Sequence, residues 1–140
     1  MKPLLLVSLA ILAAGCGARQ DAAIAQNQAQ PKGAQMVVQP RGAEAPADCA
    51  LQVEFGSYAM GIDREASRAV DQLLASDPAV TSVELYPWGR EGEKTLCVRL
   101  RSEADAERLA RAIAALFPAD PRGPLTVSTR NGLRFSAGGR

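Results

Sequence analysis

Hydrophobic and polar positions divide the chain into three stretches of different texture. Leu4 to Leu12 is apolar with only Ser8 interrupting. From Asp21 to Ala47, Ala, Gln and Pro dominate and no apolar period persists. From Cys49 onward the pattern becomes regular. Leu51, Val53 and Phe55 alternate with Gln52 and Glu54, which predicts a half-buried strand. After a loop from Gly56 to Gly61, Ala66, Ala69, Val70, Leu73 and Leu74 recur at helical spacing. Asp63 is placed to cap that helix, and Asp77-Pro78 to stop it. Val80 to Trp88 predicts a second strand with Val83 and Leu85 on one face. Lys94 to Arg101 predicts a third, with Leu96, Val98 and Leu100 inward and Glu91-Gly92 in the turn between them. Ser102-Glu103-Ala104-Asp105 is close to a capping box. It introduces a helix that buries Ala106, Leu109, Ala110, Ile113, Leu116 and Phe117 and ends at Pro118. Glu107 stands four residues before Arg111, the favourable order for a surface pair. Leu125 to Thr129 forms a fourth strand. Asn131-Gly132 is a strong hairpin signal, so Leu133 to Phe135 should pair back as a short fifth.

The order βαββαβ plus one short strand predicts an α+β fold of the ferredoxin-like, split βαβ kind. Two helices should cover one face of an antiparallel sheet and leave the other open. The expected domain therefore spans 48–140, preceded by a flexible tether over 16–47 and an N-terminal segment over 1–15. Such a tether has a root-mean-square reach of ~30 Å. Met36-Val37-Val38 is an apolar island within it, either docked on a partner or the domain, or solvated.

Composition narrows the chemistry. Of 140 residues, 16 are basic and 15 acidic, so a formal charge of +1 gives no electrostatic case for nucleic acid. Histidine is absent, which removes the commonest general base and zinc ligand and every Ser-His or Cys-His nucleophile pair. No enzyme, metal or cofactor is expected. Were there catalysis, Glu54 and Asp63 would be its best carriers.

Two places suit a ligand. On the open face, Gln52, Glu54, Tyr86, Trp88, Arg99 and Arg101 share outward parity within their strands. Flat rings beside amides, carboxylates and guanidinium groups fit a sugar or a peptide, and equally an ordinary solvated face. The loop Phe55 to Asp63 leads into a helix N-terminus whose amides can hold an anion. It is no phosphate loop of the Walker type, since no Lys follows its second glycine. A tight turn with Tyr58 or Met60 packed on the core accounts for it equally.

Lys2, the apolar run and the small residues Ala13, Ala14 and Gly15 before Cys16 form a tripartite secretory signal. The run is too short to span a bilayer, which needs ~20 helical residues. Leu12-Ala13-Ala14-Gly15-Cys16 resembles the lipobox of bacterial lipoproteins. That resemblance implies cleavage before Cys16, lipid on its sulfur and membrane anchoring by two or more chains. Gly17 in the next position implies the outer membrane, facing the periplasm. Export also implies an oxidising compartment, where Cys49 and Cys97 should bridge; two buried thiols are the alternative. Cys49 opens its strand, so its natural opposite is near Arg101, and Cys97 has open-face parity. A bridge thus requires the chain before Ala50 to fold back across the sheet, or a different register.

Glu54-Phe55-Gly56-Ser57-Tyr58 and Ala104-Asp105-Ala106-Glu107-Arg108-Leu109 resemble segments of SPOR domains, small βαββαβ modules that bind denuded peptidoglycan glycans. The chain departs from that family at Glu54, where Gln is usual, and at Arg101-Ser102-Glu103, where a Gly-Pro-aromatic stretch is usual. Together these readings lead to the expectation of a lipid-anchored, non-enzymatic envelope protein. Its domain would bind a cell-wall glycan or an envelope protein by its open sheet face. The alternative is an assembly accessory that docks through its sheet edges.

Overall fold

The computed structural model describes residues 33–139. The expected signal segment 1–15, Cys16 and the tether as far as residue 32 lie outside the described residues. The strands are β1 (Gln35–Val38), β2 (Leu51–Phe55), β3 (Val80–Pro87), β4 (Lys94–Leu100), β5 (Leu125–Thr129) and β6 (Arg134–Ala137). The helices are α1 (Arg64–Ser76) and α2 (Ala106–Ala114), the second preceded by a single 3-10 turn at Glu103–Asp105. The fold is α+β: one six-stranded sheet in the order β1-β3-β4-β2-β5-β6, with two helices.

Four of the five strand pairings are antiparallel, but β1 runs parallel to β3, with Met36 beside Val83 and Val38 beside Leu85. The sheet is therefore mixed rather than purely antiparallel. The strand that makes it so comes from the stretch expected to be tether. Its four residues are too few and too exposed to show an alternating pattern.

The core follows from the two periodicities. Leu51, Val53 and Phe55 are fully buried while Gln52 and Glu54 are half-buried, the period of two expected of a strand. Ala66, Val70 and Leu74 on α1 and Leu109, Ala110 and Ile113 on α2 join them in one cluster with Val83, Leu96, Val98, Leu125 and Val127. Both helices thus seal the same sheet face. The Asp63 carboxylate caps α1 by accepting from the Ala66 N–H at 3.0 Å, and accepts from the Arg122 N–H at 3.3 Å. Asp77 is extended (φ −75°, ψ 121°), as a residue before proline prefers, and the helix stops there. Its buried carboxylate receives two bonds from Arg108, at 2.9 and 3.1 Å.

Two local details differ from the sequence reading. Leu116, expected inward, is 36% exposed. Helix α2 ends at Ala114, and the chain tightens into i→i+3 bonds from Leu116 to Ile113 and from Phe117 to Ala114. A 3-10 turn advances each residue further round the axis than an α-helix does, which swings Leu116 outward. The final strand covers Arg134–Ala137 rather than Leu133 to Phe135, because Gly132 (φ +95°) and Leu133 complete the turn.

Just before β5, Gly123 crosses the end of β2. A Cβ at Gly123 would lie 2.1 Å from the Gly56 carbonyl oxygen, and one at Gly56 would lie 2.6 Å from Pro124 Cγ. The Gly56 N–H donates to the Pro124 carbonyl at 2.8 Å across this contact.

Candidate functional site

The sheet face opposite the helices is not open throughout. After β1 the chain stays beside β3, with the Gln39 N–H bonded to the Leu85 carbonyl at 2.8 Å and the Gly42 N–H to the Pro87 carbonyl at 3.2 Å. Residues 43–49 then pass onto the face as a strap. Ala43 and Ala45 pack on a small second cluster of Cys49, Tyr86 and Cys97. The expectation of an uncovered face is corrected accordingly. The strap is poor in large apolar groups, and its backbone and polar side chains do most of the holding.

The bridge expected between Cys49 and Cys97 is formed, with Cα atoms 5.4 Å apart. Leu51 pairs with Val98 in the β2–β4 register, so straight extension would bring Cys49 to Leu100. The chain instead bends at Ala50, whose N–H bonds to the Val98 carbonyl at 3.1 Å. That bend carries Cys49 over the face to Cys97. Of the two arrangements the bridge could have required, folding back is the one adopted.

The sequence-selected residues now separate. Gln52, beside Cys97 in the register, turns its amide to the strap and donates to the Pro46 carbonyl at 2.9 Å. Arg99 donates to both Asp48 carboxylate oxygens, at 3.0 and 3.3 Å, and lies 3.7 Å from Glu84. Tyr86, expected to stack on a ligand, is buried, and its hydroxyl donates to Glu84 at 2.5 Å. These three fasten the strap or lie under it. Arg99 beside it holds the Asp48 carboxyl below the usual carboxylate range, and the bond to Glu84 pushes the Tyr86 phenol up. Arg101 leaves the face entirely. Its N–H bonds to the Ala79 carbonyl at 2.9 Å and its Nε to the Pro78 carbonyl at 3.0 Å, fastening the α1–β3 turn.

Glu54 and Trp88 remain accessible. Trp88 is 41% exposed, and its indole N–H donates to Thr95 Oγ1 at 3.1 Å. Thr95 is the register partner of Glu54, so ring and carboxylate flank one threonine. From Glu54 the row continues across the sheet through Thr126 to Ser136, and the adjacent row runs from Gln52 through Ser128 to Arg134. Thr126 and Ser136 share a 3.2 Å hydrogen bond, and Arg134 reaches Thr126 at 3.4 Å. This polar half of the face carries hydroxyls, one carboxylate and one guanidinium. Strand periodicity alone did not single out Thr126, Ser128, Arg134 or Ser136: β5 lies where it was expected and Arg134 fell within the expected last strand, but outward hydroxyls and a lone guanidinium look like any solvated face, and Ser136 lay beyond the expected strand end. At the strap's end a cavity of about 230 Å³ is lined by Ala47, Cys49, Gln52, Ser128, Thr129 and Arg130.

The loop before α1 is already satisfied. Ser57 Oγ accepts from the N–H groups of Ala59, Met60 and Gly61 at 3.1, 3.3 and 3.0 Å and donates to the Glu91 carboxylate. Glu91 also accepts from the Gly61 N–H at 3.2 Å. The Ser57 hydroxyl, aided by that amide, holds the Glu91 carboxyl below its ordinary range. An anion expected at these amides would have to displace Glu91, and Asp63 already caps the helix. Met60 does not pack on the core but is 80% exposed.

Among the described residues no three His, Cys, Asp or Glu side chains are grouped to hold a metal ion. No described helix is long and apolar enough to cross a membrane. Compared with family models, curated proteins and solved structures, the chain matches none.

Proposed function

We propose that this is a lipid-anchored, non-enzymatic protein of the cell envelope, bonded to lipid through Cys16 and held at the outer membrane facing the periplasm. Its domain is a binding module of ferredoxin-like layout with a short extra C-terminal strand. The order β3-β4-β2-β5 with both helices on one face supports that layout. The observation that carries the envelope reading is the Cys49–Cys97 bridge. Such crosslinks persist in exported proteins and are rare where thiols are kept reduced. Its agreement with the signal ending at Leu12-Ala13-Ala14-Gly15-Cys16 joins two independent features of the chain.

The ligand surface in this reading is the polar half of the sheet face beside the strap, centred on Glu54 and Trp88. A ring next to carboxylate and hydroxyl groups suits a cell-wall glycan or a peptide segment of an envelope protein. The test is co-sedimentation of the full mature protein with purified sacculi, alongside pull-down from solubilised envelope. Trp88→Ala and Glu54→Ala should each lower capture while both variants still melt cooperatively, Trp88→Ala at a somewhat lower temperature because Thr95 loses its indole partner. Unchanged capture by both variants would exclude this surface.

A second reading, an assembly accessory docking through sheet edges, is favoured by β1. It is an outer strand whose Met36, Val37 and Val38 are 43%, 49% and 66% exposed. Under that reading Trp88→Ala leaves binding intact and a proline in the edge strand abolishes it.

A further inference from the structure

Outer strands usually carry a charge, a proline or a bulge that discourages pairing with another chain. At the β6 edge Arg134 is exposed, and Arg111 of α2 lies 5.6 Å over the Phe135 ring. Within β1 there is none of these: Gln35-Met36-Val37-Val38 is uncharged and wholly exposed, and the edge meets its first proline and charge only beyond the strand, at Pro40 and Arg41. Its alternation is fixed by the Gln39 N–H bonded to Leu85, which turns the Val37 backbone toward β3 as well. The N–H and C=O groups of Met36 and Val38 therefore point away from the sheet.

We infer that β1 pairs antiparallel with β1 of a second copy of this chain, about a twofold axis at Val37. The register chooses the partner. With Val37 opposite Val37, Met36 of each copy meets Val38 of the other, and both are the residues whose backbone groups face outward. Four hydrogen bonds close across the axis. Met36 and Val38 meet on the face of Val83 and Leu85, and Gln35 stands opposite Gln39 on the other. A strand that presents itself with matching donors, acceptors and side chains suits an isologous contact, the commonest in homo-oligomers. No like charges oppose one another within the strand. The contact falls well short of the ~800 Å² per partner of a standard interface, so it belongs to the weak class that depends on local concentration. This inference takes up the edge-docking reading and names its partner. It stands apart from the glycan reading, and confinement by a lipid on Cys16 would strengthen it.

Residues directly opposite in a non-hydrogen-bonded antiparallel pair have Cα atoms ~4.5 Å apart, within disulfide reach. Val37→Cys in the full chain, oxidised mildly in its own membranes, should give a reducible dimer band on a gel. Ser136→Cys on the opposite edge should not. Adding Met36→Pro to Val37→Cys removes an outward N–H but no bond to β3, so the dimer band should be lost while the extracted protein melts unchanged. A monomer only, equal dimer from Ser136→Cys, or Val37→Cys joined to a chain of another mass would each overturn the proposal. Membrane fractionation of the same samples reads the anchor separately: a dimer in the soluble fraction would sink the anchor reading and leave this one standing.

Discussion

The two faces of the sheet are covered by opposite means. The helix side is sealed by Val70, Leu74, Leu109 and Ile113 over Leu51, Val53 and Phe55, all with essentially no solvent exposure. The strap side has Ala43 and Ala45 as its packed side chains, one crosslink, one bidentate ion pair and a few backbone bonds. Burial is non-directional and indifferent to reductant; the strap's fastenings are directional and can be undone by a reductant or by acid. The first kind of cover makes the fold, and the second decides how much of the other face stays exposed.

The largest break in this comparison is expected from the helix side. Phe55→Ala removes a fully buried ring with Lys94 Nζ 5.2 Å from its centroid. It should cost ~3–5 kcal/mol in denaturant midpoint experiments, with both faces lost in one transition. Cys49→Ser with Cys97→Ser comes next. The bridge closes a loop of sequence separation 48, worth ~4 kcal/mol in the chain-entropy model. If the strap is fastened as described, hydrogen exchange in the surviving native state should rise at residues 39–49 more than in α1 or α2. Uniform loosening would argue that the strap is integral to the core.

Acid should produce the smallest and sharpest difference. Arg108 and the Ala79 amide hold the Asp77 carboxyl below its ordinary value of 3.8, and Arg99 does the same for Asp48. Both groups have depressed folded pKa values. Their contributions are therefore complete above pH 3.8 and are lost as pH falls through the lower folded values. Arg108→Ala should flatten this acid limb more than Arg99→Ala does, because Asp77 is 7% exposed and Asp48 66%. Melting temperature against pH for the two variants checks it, and equal flattening would contradict it.

The contrast between the faces also explains what could be read beforehand. The repeat of Leu51, Val53 and Phe55 and the helical spacing of Val70 to Leu74 are consequences of burial, so those elements were legible. The strap was legible only in outline: a Cys49–Cys97 bridge required a fold-back before Ala50 or a different register, but Ala43, Pro46 and Asp48 follow no period, and their partners Gln52 and Arg99 look like ordinary outward residues. β1 was legible only as the apolar island Met36-Val37-Val38, with docking on the domain left open, because an exposed four-residue strand shows no alternation. Parity placed Tyr86 and Arg99 on the correct face but could not tell that another part of the chain lay over them. Arg101 failed differently: β4 ends at Leu100, and parity has no meaning one residue beyond a strand.

The crossing of Gly123 over Gly56 leaves no volume for a methyl group on either backbone. Divergence can alter the strap, the polar rows and every loop, yet these two positions are confined to hydrogen. A glycine directly after β2, matched by a Gly-Pro opening the strand after the second helix, is therefore a fingerprint by which distant descendants of the same ancestor can be sought.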